Sequence, residues 1–171
     1  MQAKKIALLG ILTALSAIMF LVESAFPPII IPGAKLGLGN IFVMLSLIYL
    51  GFGSTVILVL AKCLIAGIFG GVSALLYSLP AGIISLTVGY LLIKQRKNLS
   101  IISISAAMGA IHNIVQNGVF ALVQETLKVL LYAPYLALLG VISGIVTGLA
   151  TFLIIKFLSP FVINKFNLNQ S

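Results

Sequence analysis

The chain has 171 residues, 61% of them hydrophobic and 7% charged, with a mean hydropathy of +1.29 and a formal net charge of +8. A water-soluble domain carries roughly 25% charged residues to wet its surface, so these few charges exclude a soluble globule and lipid must solvate most of the chain. Most of the basic residues stand at the ends of apolar runs rather than among aromatics on a polar face. That pattern excludes nucleic acid as a partner and fits the charge bias of membrane loops.

At about 20 apolar residues per crossing, the length admits six spans and short loops. The expected fold is an all-α, six-transmembrane-helix bundle forming a single integral membrane domain over residues 1–171. The first span covers about 6–26, preceded by Lys4 and Lys5. It is long for the apolar region of a signal peptide, and further spans follow directly. Pro27, Pro28, Pro32 and Gly33 make a loop that cannot be helical. A short second span, 38–50, is tilted or only partly embedded. Gly51 and Gly53 turn the chain into a third span, 54–69, and Gly70, Gly71 and Ser73 break it before a fourth, 74–93, which contains Pro80. Lys94, Arg96, Lys97 and Asn98 form the clearest polar loop. A fifth span covers 101–123 and a sixth 134–158, followed by a short polar tail from Ser159.

With the amino terminus inside, six spans place Lys4, Lys5, Lys94, Arg96, Lys97, Lys156 and Lys165 on the cytoplasmic face, seven of the ten basic residues. The expected location is the cell membrane with both termini cytoplasmic.

Three groups of residues stand out. Ala3, Ala7, Gly10, Ala14 and Ala17 recur at alternating spacings of four and three, on one face of the opening helix. Small residues let helix backbones approach in lipid, so this face either packs within the chain or docks another membrane subunit. Gly140, Gly144 and Gly148 repeat every four residues on the sixth helix, where internal packing is expected.

In the fifth span His112, Asn113, Gln116 and Asn117 lie close together, with Gln124 at its outer end. At 100° per residue they cover an arc of about 140°. Polar groups in hydrocarbon need partners or water and commonly mark a functional path. They either lock helices together or face a ligand, and four in six residues favour a ligand site.

Lys62 falls in the middle of the third span. There it must pair, be neutral, line a wet cavity, or snorkel to an interface. The chain has no Asp, and its only carboxylates are Glu23 and Glu125. Two distant acids cannot hold the Mg²⁺ of a diphosphate-processing enzyme. One histidine and one cysteine, Cys63, give neither a zinc set nor a disulfide. A Ser-His-Asp triad is impossible without Asp, and no phosphate-binding Gly-x-x-x-x-Gly-Lys loop is present. The expectation is a protein that is not an enzyme and holds no cofactor or metal.

Pro32-Gly33-Ala34-Lys35-Leu36-Gly37-Leu38-Gly39-Asn40 resembles the signature after the first helix of the Gx transporter family. Gly109-Ala110-Ile111-His112-Asn113-Ile114-Val115-Gln116 resembles its fifth-helix motif, and Ser78-Leu79-Pro80-Ala81-Gly82 fits the region between. The resemblance runs from about residue 5 to 158. Many members carry the label heptaprenyl diphosphate synthase component I, and the acid count argues against reading that label as a catalytic description. The family is in turn similar to the S-components of energy-coupling factor (ECF) transporters, six-helix proteins that capture vitamin-like molecules from outside. S-components work with a transmembrane coupling subunit and a pair of ATPases.

That resemblance implies a substrate-binding subunit for a small polar or amphipathic molecule, with the Pro27 to Lys35 loop as lid. His112, Asn113, Gln116 and Asn117 would supply hydrogen bonds, Asn40 would join them from the first signature, and Lys35 and Lys62 would attract an anionic group. On the first helix Ala3-x-x-x-Ala7 matches the coupling-subunit docking pattern, and Gly10-x-x-x-Ala14 is a variant of it. Genes of this type often accompany flavin-linked redox proteins, which implies a flavin or quinone precursor as substrate. The alternative is a non-catalytic membrane subunit of a prenyl-quinone or electron-transfer assembly. A third possibility is a membrane enzyme acting on a prenyl lipid through His112 and Lys62.

Overall fold

The computed structural model describes residues 2–25, 37–95 and 99–166, and side chains over 3–23, 37–95 and 99–157. The described residues are almost entirely helical: α1 Gln2–Ala25, α2 Asn40–Leu50, α3 Phe52–Gly70, α4 Val72–Gln95, α5 Ile101–Val123 and α6 Ala133–Phe166. A short 3₁₀ turn, Leu127–Tyr132, precedes α6. Five of these helices are long and apolar enough to cross a membrane. The exception is α2, whose 11 residues reach only about 16 Å at 1.5 Å per residue, against a hydrocarbon core of about 30 Å.

The turns are sharp because glycines make them. Gly51 (φ 82°) and Gly71 (φ 85°) each reverse the chain in a single residue, in backbone conformations that other residues rarely adopt. At the first of these turns the Thr55 hydroxyl lies 2.8 Å from the Gly51 carbonyl and 2.9 Å from the buried Ser46 hydroxyl, which satisfies polar groups that lipid cannot. Ser100 caps α5, its side chain accepting from the Ser103 N–H at 3.1 Å. The same helix ends on Glu125 in a left-handed conformation (φ 50°). Thr126 N–H donates to the Ala121 carbonyl at 3.0 Å and Glu125 N–H to that of Leu122 at 3.4 Å, the pair of bonds that terminates a helix in the Schellman motif.

The α3–α4, α4–α5 and α5–α6 pairs run antiparallel, as their contacts require. Phe52 stacks on Tyr90 at 4.9 Å at one end of the α3–α4 pair, while Gly67 meets Leu75 at the other. Tyr77 meets Phe120 edge-on at 5.3 Å, pairing the start of α4 with the end of α5. Helices α5 and α6 share the largest contact in the bundle. A Cβ on Gly140 would strike the backbone of Gly109 and Ala110, one on Gly144 that of Ser105 and Ala106, and one on Gly148 the Ile102 Cα at 2.8 Å. The four-residue glycine repeat thus packs inside the chain, as its spacing predicts.

Two expectations change. The polar tail expected from Ser159 does not begin there: α6 stays helical through Pro160 to Phe166, 34 residues in all. One proline costs a helix a hydrogen bond without stopping it, and Phe161, Val162 and Ile163 resume the apolar run. The small-residue face of α1 also divides. Ala3, Ala7, Gly10 and Ala14 are exposed, and a Cβ on Gly10 would find open space, whereas Ala17 is buried against the bundle.

Candidate functional site

The bundle holds a cavity between the last turns of α1, the start of α2, the middle of α3 and α4, α5 from Ser105 to Gln116, and the first half of α6.

The start of α2 is built on backbone contact. Asn40 N–H donates to the Gly37 carbonyl at 2.8 Å, forming the turn that launches the helix. Ser16, fully buried on α1, donates its hydroxyl to the Gly39 carbonyl at 2.8 Å. A Cβ on Gly39 would sit 2.8 Å from the Ser16 carbonyl oxygen and 3.3 Å from Lys62 Nζ, so only glycine lets α1, α2 and the lysine meet at this point. Asn40 is thereby presented to α3, and Lys62 Nζ donates to its Oδ1 at 2.8 Å. Both residues line the cavity, so the lysine points inward and does not snorkel to an interface.

Across from them, α5 contributes His112, Asn113 and Gln116. The His112 ring lies in hydrogen-bond contact with the backbone of Ala81, next to Pro80 on α4. Asn113 has a double role: its Nδ2 donates to the Leu136 carbonyl of α6 at 2.9 Å, and the remainder of the amide faces the cavity. Among the described residues Gln116 closes no hydrogen bond, which leaves its whole amide to the cavity.

The polar stripe is therefore split. Asn117 is buried away from the cavity, donating to the Val129 carbonyl of the 3₁₀ turn at 3.2 Å, and Gln124 donates to the Tyr77 hydroxyl at 2.9 Å. Asn117 turns away because it sits 140° around the helix from His112, at the edge of the arc, where it faces the 3₁₀ turn. Lys35 and the expected Pro27–Lys35 lid lie outside the described residues.

Sequence reasoning did not assign Glu23, Phe20, Ser85 or Thr147 to the site, yet all line the cavity. Glu23 carried a usable signal as one of two carboxylates in the chain. The hydroxyl residues carried none, because Ser and Thr in a membrane helix commonly return their hydrogen bond to the preceding turn, as Thr147 does to the Gly144 carbonyl at 3.1 Å.

The cavity has a volume of about 80 Å³, roughly half that of the 150 Å³ cavity known to admit benzene. As it stands it has room for a small molecule or a few waters, and a fused three-ring flavin would require the walls to part. Among the described residues no three His, Cys, Asp or Glu side chains come together.

Fold and cavity together define an α-helical membrane protein with a chamber in its bundle that is lined by apolar and polar side chains. Residues 12–154 match the model of the family described as heptaprenyl diphosphate synthase component I, and the chain belongs to that family. No curated protein and no solved structure matches it.

Proposed function

We propose that this protein is a membrane substrate-capture subunit, of the ECF type, which binds a small polar molecule in the cavity and performs no chemistry on it. The observation that carries this reading is convergence. Asn40, Lys62, His112, Asn113 and Gln116 come from three helices and line one cavity. Polar side chains are costly in hydrocarbon, and a purely structural role would leave no amide facing a void. The volume favours a small precursor over a complete flavin.

The exposed part of the α1 face, Ala3, Ala7, Gly10 and Ala14, supports docking to a transmembrane coupling subunit that works with ATPases. The lysine distribution supports a cell-membrane protein with both termini cytoplasmic. The test is to purify the protein in mild detergent and identify released small molecules by mass spectrometry. A stoichiometric ligand, lost on Gln116→Leu, is expected. An empty protein that remains bound to a prenyltransferase subunit would overturn capture. That outcome would favour the second reading, a non-catalytic subunit of a prenyl-quinone assembly, which the family description supports.

A further inference from the structure

The chain holds only two carboxylates, and one of them, Glu23, lines the same cavity as Lys62. Each charge lies within a membrane-spanning helix, where an ionised side chain is expensive and is kept for a purpose. Lys62 comes from the middle of α3 and Glu23 from the last turns of α1, so the cavity is walled by a cationic group on one helix and an anionic group on another. Lys62 gives a hydrogen bond to the neutral amide of Asn40.

We infer that the ligand of this cavity is amphoteric: a small molecule with an anionic group that seats against Lys62 and a cationic group that seats against Glu23. This deepens the capture reading above and rests on it. A ligand with one charge is attracted by one of these residues and repelled by the other. A ligand with both presents the complementary charge to each, and in a low-dielectric enclosure that complementarity decides selectivity. His112, Asn113 and Gln116 then hydrogen-bond the uncharged middle of the molecule. The volume of about 80 Å³ limits that middle to a few atoms.

The test uses the full chain in lipid nanodiscs and calorimetric titration with three series of probes: ω-amino acids of increasing chain length, the matching carboxylates and the matching amines. The best amino acid should bind roughly tenfold or more tightly than the carboxylate or amine of equal length, the worth of one charge-assisted hydrogen bond. Glu23→Gln, which keeps the shape, should bring the amino acid down to its carboxylate, and Lys62→Met should bring it down to its amine, with melting temperatures recorded to show that both variants fold. Equal binding of a singly charged probe, or an unchanged preference in Glu23→Gln, would overturn the inference and leave capture standing. If no probe binds, the charge of any co-purified molecule decides: an amphoteric one upholds the inference and any other overturns it. Neither probe binding nor a co-purified molecule would overturn capture as well.

Discussion

Lys62 Nζ and Asn40 Oδ1 lie 2.8 Å apart across 22 residues of sequence, joining the middle of α3 to the first residue of α2. A buried ammonium is tolerated when it has acceptors, and removing one of them raises the cost of burying the charge. Asn40→Leu should therefore destabilise the protein by about 1.5–3 kcal/mol, the range for a hydrogen bond to a charged group. Lys62→Met should cost less, because it removes the charge together with its need. The double variant should be more stable than Asn40→Leu alone. Reversible unfolding in detergent gives the three values, and additive losses would show that the bond contributes nothing.

Gln116 and Asn117 are adjacent in sequence and differ in role. Gln116→Leu should weaken binding of the natural ligand by about tenfold, since a ligand group left unpaired loses more than the bond itself, with an unchanged melting temperature. Asn117→Leu removes the tie to the Val129 carbonyl and should lower the melting temperature with unchanged affinity. Asn113→Leu should do both. A ligand titration beside a melting series for each variant separates these outcomes.

Two glycines on packing faces should respond in opposite ways to a large side chain. Gly140→Leu drives a side chain into the backbone of Gly109 and Ala110, which no rotamer relieves, so the folded protein should be lost. Gly10→Leu points into open space and should leave the melting temperature unchanged. If this face docks a coupling subunit, Gly10→Leu and Ala7→Leu should also abolish co-purification with it, and survival of the complex would remove α1 as the docking surface.

Glu125 holds a left-handed backbone at the end of α5, a conformation that costs a residue with a Cβ about 1–2 kcal/mol. Glu125→Gly removes that cost and adds chain entropy to the unfolded state. The expected result is a gain of less than about 1 kcal/mol, read as a modest rise in melting temperature. A loss would mean that the Glu125 side chain stabilises the helix end.

Orientation is open to labelling in intact cells. Cysteines placed at Gln2, Gln95 and Lys156 should all resist a membrane-impermeant thiol reagent until the membrane is permeabilised. Outside labelling at any of them would invert or break the proposed topology.

The positions of the long helices were legible in the sequence, because lipid imposes a local rule: backbone polar groups must be satisfied within an apolar segment. Hydropathy and turn glycines therefore located α3, α4 and α5 to within about two residues. The same rule drew attention to His112, Asn113, Gln116 and Lys62, since any polar group inside such a segment is an exception that needs a cause. What the sequence could not decide was which exceptions meet. Asn113, Gln116 and Asn117 look alike in a helical projection, and only the placement of α6 and the 3₁₀ turn sends Asn117 to Val129 and leaves Gln116 to the cavity. Likewise Ala14 and Ala17 belong to one periodic face, yet the packing of α1 on α2 and α3 buries the second and exposes the first. Helix formation depends on neighbours within a few residues, whereas a cavity is made by contacts between segments far apart in the chain, and those exist only once the bundle has closed.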